Sequence, residues 1–327
     1  MLTFILKRLA LALPTLFVIT FVVFVIARLA PSSPIDILAE KAAPEVRRQL
    51  EHQYGLDKPY LVQYLNYVGG IVLHGDFGKS FARGQQPVTE MIAHDFPVTA
   101  QLAVSAMLFA LLIGIPIGAL SALNHNSWFD RAAMAVVVAL VSVPSIVLGP
   151  LLVLIVAVRM RWLPVSGWEM LDVSSLGGHL HFKIVDPHYL VLPTITLGAR
   201  SAALIARFMR ASLLDVLRQD YLRTAMAKGL SRGNAVWRHA LKNAFLPVLT
   251  VIGTNFGTLL TGAFVIETLF QVPGIGFESI NSISKRDYPV IQGMTLLVAV
   301  IFILVNLAVD ILYGVVDPRV RTQEARA

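Results

Sequence analysis

Six long apolar runs constrain this chain more than any other feature: residues 9–27, 102–123, 132–158, 189–206, 244–270 and 290–316. About 20 apolar residues suffice to cross the hydrocarbon core of a bilayer. Within that core only helices and closed barrels satisfy every backbone hydrogen bond. The runs lack the alternation of barrel strands, so the expected fold class is an all-α integral membrane protein with six transmembrane helices. Composition agrees, since only 14% of residues are charged and 56% are hydrophobic, whereas soluble domains carry about 25% charged residues.

The first run follows Lys7 and Arg8, as a signal peptide would, but the largely apolar stretch LALALPTLFVITFVVFVIA is 19 residues long. That exceeds a cleavable signal core and reads as a retained anchor. With an even number of spans both termini share one side. Placing the N-terminus inside gives cytoplasmic segments with 14 Lys/Arg against 5 acidic residues, and outer segments with 12 against 13. The sharpest contrast is eight basic residues in 207–243 against two in 271–289. The positive-inside rule therefore puts both termini of this multi-pass membrane protein in the cytoplasm. The same rule accounts for the net charge of +7, so nucleic-acid binding is not needed to explain it. With no cysteine in the chain, disulfides, thiolate metal sites and cysteine catalysis are excluded.

The expected organisation is an N-terminal segment and first helix (1–30), an extracytoplasmic helical subdomain (31–99), a five-helix core (100–316) and a cytoplasmic tail (317–327). The subdomain contains amphipathic stretches near 44–53 and 59–73, punctuated by turn residues at Gly55, Asp57-Lys58-Pro59 and Gly75. The core contains a basic cytoplasmic loop, 207–247.

Few constellations could carry chemistry. Gly78-Lys79-Ser80 ends like a phosphate loop, but Leu73 stands where the earlier glycine belongs and no strand–helix context surrounds it. His179, His181, Asp186 and His188 could ligate a metal, although their spacing fits no specific motif; no metal site is assigned. Arg200, Asn255, Glu267, Asn306 and Asp310 lie within apolar runs, where charge is costly and faces protein or water. Arg200, Asn255 and Glu267 are candidate translocation-pathway residues. For Arg200 three readings stand: an anion contact in the pathway, such as a substrate carboxylate, a structural pair with Glu267 or Asp310, or a fourth span whose bounds differ from 189–206. No nucleophile elbow, zinc-protease helix or aspartyl pair is present, so no enzymatic site is expected. Gly114-x-x-x-Gly118 and Gly253-x-x-x-Gly257 are close-packing motifs for membrane helices.

One polar stretch does not read as a simple connection. Residues 220–247, DYLRTAMAKGLSRGNAVWRHALKNAFLP, set five basic residues against Asp220 alone. Small residues punctuate its first half and Leu246-Pro247 closes it. Charge alone would read it as a lipid-facing basic loop.

This stretch resembles the coupling loop of ABC importer permeases of the dipeptide/oligopeptide/nickel type. Further motifs carry the resemblance along nearly the whole chain: FILKRLALALPTLFVIT at the N-terminus, YGLDKPYLVQYLNYV (54–68), HGDFGKS (74–80), ETLFQVPGIG (267–276), RDYPVIQG (286–293) and NLAVDILYGVVDPRVR (306–321). The resemblance implies a type I importer permease fold and a chain without ATPase activity of its own. Its implied partners are a second homologous permease, two ABC ATPases that bind the ATP and magnesium, an extracytoplasmic binding protein and membrane lipid. It implies a short coupling helix at 221–230, with Tyr221, Arg223, Thr224, Ala225, Ala227, Lys228 and Gly229 at the ATPase and Leu246 and Pro247 marking the return to the membrane. The implied cargo is a di- or oligopeptide, with nickel or a metal chelate as the alternative. A stand-alone transporter or channel fits less well, because no inverted repeat is visible. Two positions depart from the family pattern: Arg223-Thr224-Ala225 replaces the usual Glu-Ala-Ala, and Arg200 stands where an apolar residue is expected.

Overall fold

A computed structural model describes residues 2–29, 44–53, 55–172 and 183–316. In chain order the helices are α1 (Leu2–Leu29), α2 (Pro44–Gln53), α3 (Tyr60–His74), α4 (Val88–Leu123), α5 (Trp128–Ser142), α6 (Ser145–Leu152), α7 (Pro187–Leu217), α8 (Asp220–Ala227), α9 (Arg232–Ala235), α10 (Leu241–Phe270), α11 (Ile275–Ser284) and α12 (Tyr288–Val316). π-helical turns at Val153–Arg159 and Val236–Ala240 follow α6 and α9. The expected all-helical architecture also contains one small antiparallel pair, β1 (Met170–Asp172) with β2 (Lys183–Val185).

Among the described residues four helices are long and apolar enough to cross a membrane, and the number rises to six if each of two bent pairs is one span. The third apolar run differs from the continuous helix expected. Its halves, α5 and the stretch from Ser145 to Arg159, meet at 109°. Proline disfavours the helical region for the residue before it, and Val143, preceding Pro144, is extended at φ −83° and ψ 120°. The second bent pair turns by 46° next to Pro247, a residue that removes a helical N–H and crowds the preceding turn.

The fourth run also differs. A helix ending near 206 was expected, but α7 continues to Leu217, so much of the supposed basic loop is helix. At 1.5 Å per residue its 31 residues extend about 46 Å, well beyond a ~30 Å hydrocarbon core. α4, with 36 residues, is longer still.

The chain divides into two compact units. The first contains Ala100–Val272 and the stretch from Val305 onward. Here α4 and α7 run parallel, with glycines at the crossings. A Cβ on Gly114 would lie 2.6 Å from the Ala202 carbonyl, one on Gly198 would lie 2.6 Å from the Ala106 carbonyl, and one on Gly118 would collide with the Ala206 carbonyl. α10 packs along α7 in the opposite direction, with Ser201 Oγ 3.4 Å from Asn255 Oδ1 and Ser212 Oγ donating to the Ala244 carbonyl at 2.8 Å.

The second unit contains Leu2–Thr99 and Pro273–Leu304. It therefore combines the first helix and the 44–99 region with a distant stretch of sequence. Tyr64 on α3 packs among Phe17, Phe21 and Phe24 of α1, and its hydroxyl lies 2.9 Å from Thr20 Oγ1. This gives the polar tip a partner while the ring remains buried.

Candidate functional site

α8 is a short amphipathic helix. Leu222 is buried, whereas Tyr221, Arg223, Thr224, Ala227 and Lys228 are exposed and Ala225 is partly so. Thr224 Oγ1 donates to the Asp220 carbonyl, and Arg223 lies 3.6 Å from Asp220 across one turn. The helix closes in a Schellman arrangement: Leu230 N–H donates to the Ala225 carbonyl at 3.2 Å and Gly229 N–H to the Met226 carbonyl at 3.0 Å. The closing residue must adopt positive φ, and Gly229 has φ 91°. A Cβ at Gly229 would meet no atom within 4 Å, so glycine is required there by backbone conformation rather than by contacts within the chain.

The descending side of the loop is fixed to the same body. Ala235, Val236 and Ala240 are buried, while Arg238 and Lys242 are exposed. Asn243 Nδ2 donates to the Tyr221 hydroxyl at 2.8 Å, joining the first turn of α8 to the first turn of α10. Leu246 and Pro247 lie within α10, with Pro247 exposed.

The intramembrane polar residues do not converge. Asn255 faces the α7–α10 seam, where its Nδ2 donates to the Val251 carbonyl at 2.8 Å. Glu267 is fully buried in α10. Arg200 is exposed on α7 and makes no ion pair among the described residues, so the structural pairing with Glu267 is not formed; the Asp310 side chain lies outside what the structure describes. An ion pair that the sequence reading missed lies further along α7. Arg210 bonds Asp130 in a two-pronged pair, Nε to Oδ1 at 2.6 Å and Nη2 to Oδ2 at 2.7 Å, with Asp130 buried. The pattern Ser127-x-x-Asp130 was its signal, because Ser127 caps α5 by accepting from Asp130 N–H.

In the second unit, two separated sequence motifs meet. Asp287 accepts from Ser80 Oγ at 2.5 Å and from the backbone N–H groups of Phe81 and Ala82, both at 3.1 Å. The Gly78-Lys79-Ser80 tripeptide is thus a turn closed on a carboxylate. Arg83 pairs with the buried Glu278, whose carboxyl is pushed up by burial and drawn partly back by the Arg83 charge. A cavity of about 380 Å³ is lined by Gln63, Asn66, Tyr67, Asp76 and Lys79, among others.

Asp186 and His188 serve the start of α7. The Asp186 carboxylate accepts from His188 N–H at 2.9 Å and lies 2.8 Å from its Nδ1, and these two contacts hold its pKa low. His179 and His181 lie outside the described residues. Among the described residues no three acids or histidines cluster as metal ligands.

Known proteins place this geometry in context. The family described as binding-protein-dependent transport system inner membrane component matches residues 114–322, and its N-terminal counterpart matches residues 1–103. The dipeptide transport system permease protein DppB of Escherichia coli K12 is 43% identical over 339 residues, covering 98% of this chain and 99% of its own length. The oligopeptide transport system permease protein OppB of Haemophilus influenzae is 42% identical over 322 residues, covering 98% and 100%. Among solved structures, an inward-facing MetNI methionine ABC transporter shares the fold at a TM-score of 0.55 and 16% identity, covering 70% of this chain and 97% of that one. From the N-terminal helix to the α8 loop and beyond, the chain belongs to the binding-protein-dependent transport system inner membrane components and is a permease of the ABC importer type.

Proposed function

We propose that this chain is one of two homologous permease subunits of an importer that carries di- or oligopeptides inward, driven by two separate ABC ATPases. The observation that carries this reading is α8: a short helix anchored through Leu222, closed at Gly229 and exposing Arg223, Thr224, Ala227 and Lys228. Such a helix can seat in a partner's groove and carry force into α7 and α10, to which it is joined at both ends. The peptide cargo rests on the names of the full-length relatives. In this scheme ATP and magnesium bind the ATPases, and a substrate-binding protein delivers cargo to the outer side. Both termini and α8 face the cytoplasm, and lipid surrounds the bundle.

The test separates seating from folding. Gly229→Ala strains only the positive-φ position, at a cost of about 1 kcal/mol. Ala227→Arg leaves a helical backbone intact but adds bulk to the exposed face. In cells using the assembled transporter, A227R and G229R should abolish peptide uptake with membrane insertion retained, and G229A should keep most of it. Normal uptake by stably inserted A227R would refute docking through α8.

A further inference from the structure

Five exposed polar residues share one side of the α7–α10 seam. The helices run antiparallel with Ser201 opposite Asn255, and each step along a helix turns the side chain by about 100°. For two right-handed antiparallel helices, the residues preceding a facing pair turn to the same side. Arg200 and Thr254 precede this pair, and both are exposed. Thr258 and Thr261 continue that side of α10 at helical spacing and are also exposed. Arg207, exposed as well, lies two turns beyond Arg200 on the same side of α7.

Lipid does not account for this face, because a mid-helix arginine avoids hydrocarbon and faces protein or water. The threonine hydroxyls donate to their own helix: Thr254 to the Thr250 carbonyl at 3.0 Å, Thr258 to the Thr254 carbonyl at 2.8 Å and Thr261 to the Thr258 carbonyl at 3.1 Å. Their remaining lone pairs can only accept, which suits water or an amide N–H. Arg200 can only donate, and it suits a carboxylate. The acids of these two helices leave that charge uncompensated, since Glu267 is buried and Asp215 lies about 22 Å along α7 from Arg200. We propose that Arg200, Thr254, Thr258 and Thr261 form one wall of a water-filled conduit, in which Arg200 takes the free carboxylate of the passing peptide and the threonines accept from its amide groups. This inference rests on the reading of the chain as a peptide-importer permease and assigns its pathway a preferred charge.

The naturally cysteine-free chain permits a direct test. Single cysteines at 254, 258 and 261 should react with a membrane-impermeant thiosulfonate at least about tenfold faster than one at Leu112, an exposed apolar position of α4, because the reactive thiolate forms in water. The reaction is read on this subunit within the intact transporter, and equal rates at all four positions overturn the conduit. Uptake of a dipeptide is then compared with that of its C-terminal amide. Wild type should favour the free carboxylate, Arg200→Gln should bring the ratio of free-acid to amide uptake down to about one, and Arg200→Lys should restore part of that preference. An unchanged preference in R200Q overturns the carboxylate role while peptide transport itself stands. A wild-type transporter that moves neither peptide refutes the underlying reading instead.

Discussion

At Gly229 the backbone sits at φ 91° with open space around the missing Cβ, and the two bonds that close α8 depend on that conformation. The resemblance to importer permeases implied a helix at 221–230; the structure ends it at Ala227, with Gly229 as the closing residue. Arg83 and Glu278 were not legible in this way, since 195 positions separate them and neither stands out locally. Their pairing carries a testable consequence. Glu278 is buried and its carboxyl is raised, so the folded state binds its proton more readily than the unfolded chain. Stability linked to that group is therefore greatest at acid pH and is lost as pH rises through the raised value. Arg83→Ala removes the charge that opposes the rise and should cost about 1–3 kcal/mol at neutral pH. The deficit should shrink as pH falls through the raised value of Glu278 and the carboxyl is neutralised. Adding Glu278→Gln should recover most of the loss and flatten its pH dependence, as read from thermal unfolding in detergent.

Among the elements, apolar length located the membrane helices, but not where they bend or how far they continue beyond hydrocarbon. The 109° turn between α5 and α6 depends on Pro144 and on the extended backbone it imposes on Val143. The true length of α7 was hidden because its polar continuation reads as a loop by hydropathy, although Arg210 is held there by Asp130. Small-residue spacing was more informative. Gly114 and Gly118 meet α7, as the motif implied, and Gly198 provides the reciprocal contact on α7. At Gly118 the obstruction is a backbone carbonyl, which cannot rotate away as a side chain can. Gly118→Val should therefore force α4 from α7 and cost about 1–3 kcal/mol or more. Proteolysis of detergent-solubilised variants should show faster cleavage near the 124–127 connection for G118V than for Gly233→Ala, where a Cβ meets nothing within 4 Å.

Across the whole molecule, basic charge distinguishes the two sides on which its connections lie. Eight Lys/Arg fall in 207–243 and two in 271–289. The structure moves two of the eight, Arg207 and Arg210, onto the continuation of α7 without changing the count. Helix directions are consistent with that partition: α4 and α7 are parallel, α10 is antiparallel to α7, and α8 sits between α7 and α10 at the end where the charge accumulates. A membrane that holds basic connections inside would place Lys228 in the cytoplasm and Ala82, in the second unit, outside. Both positions are exposed, and the chain contributes no thiol of its own. A cysteine at Lys228 should be labelled by an impermeant maleimide only in inside-out vesicles, and a cysteine at Ala82 only in intact spheroplasts. The reverse pattern would turn α8 away from any ATPase. Labelling of both positions from one side would break the even-span arrangement and make the bent α5–α6 pair re-entrant rather than crossing, because removing one crossing between Ala82 and Lys228 puts them on the same face.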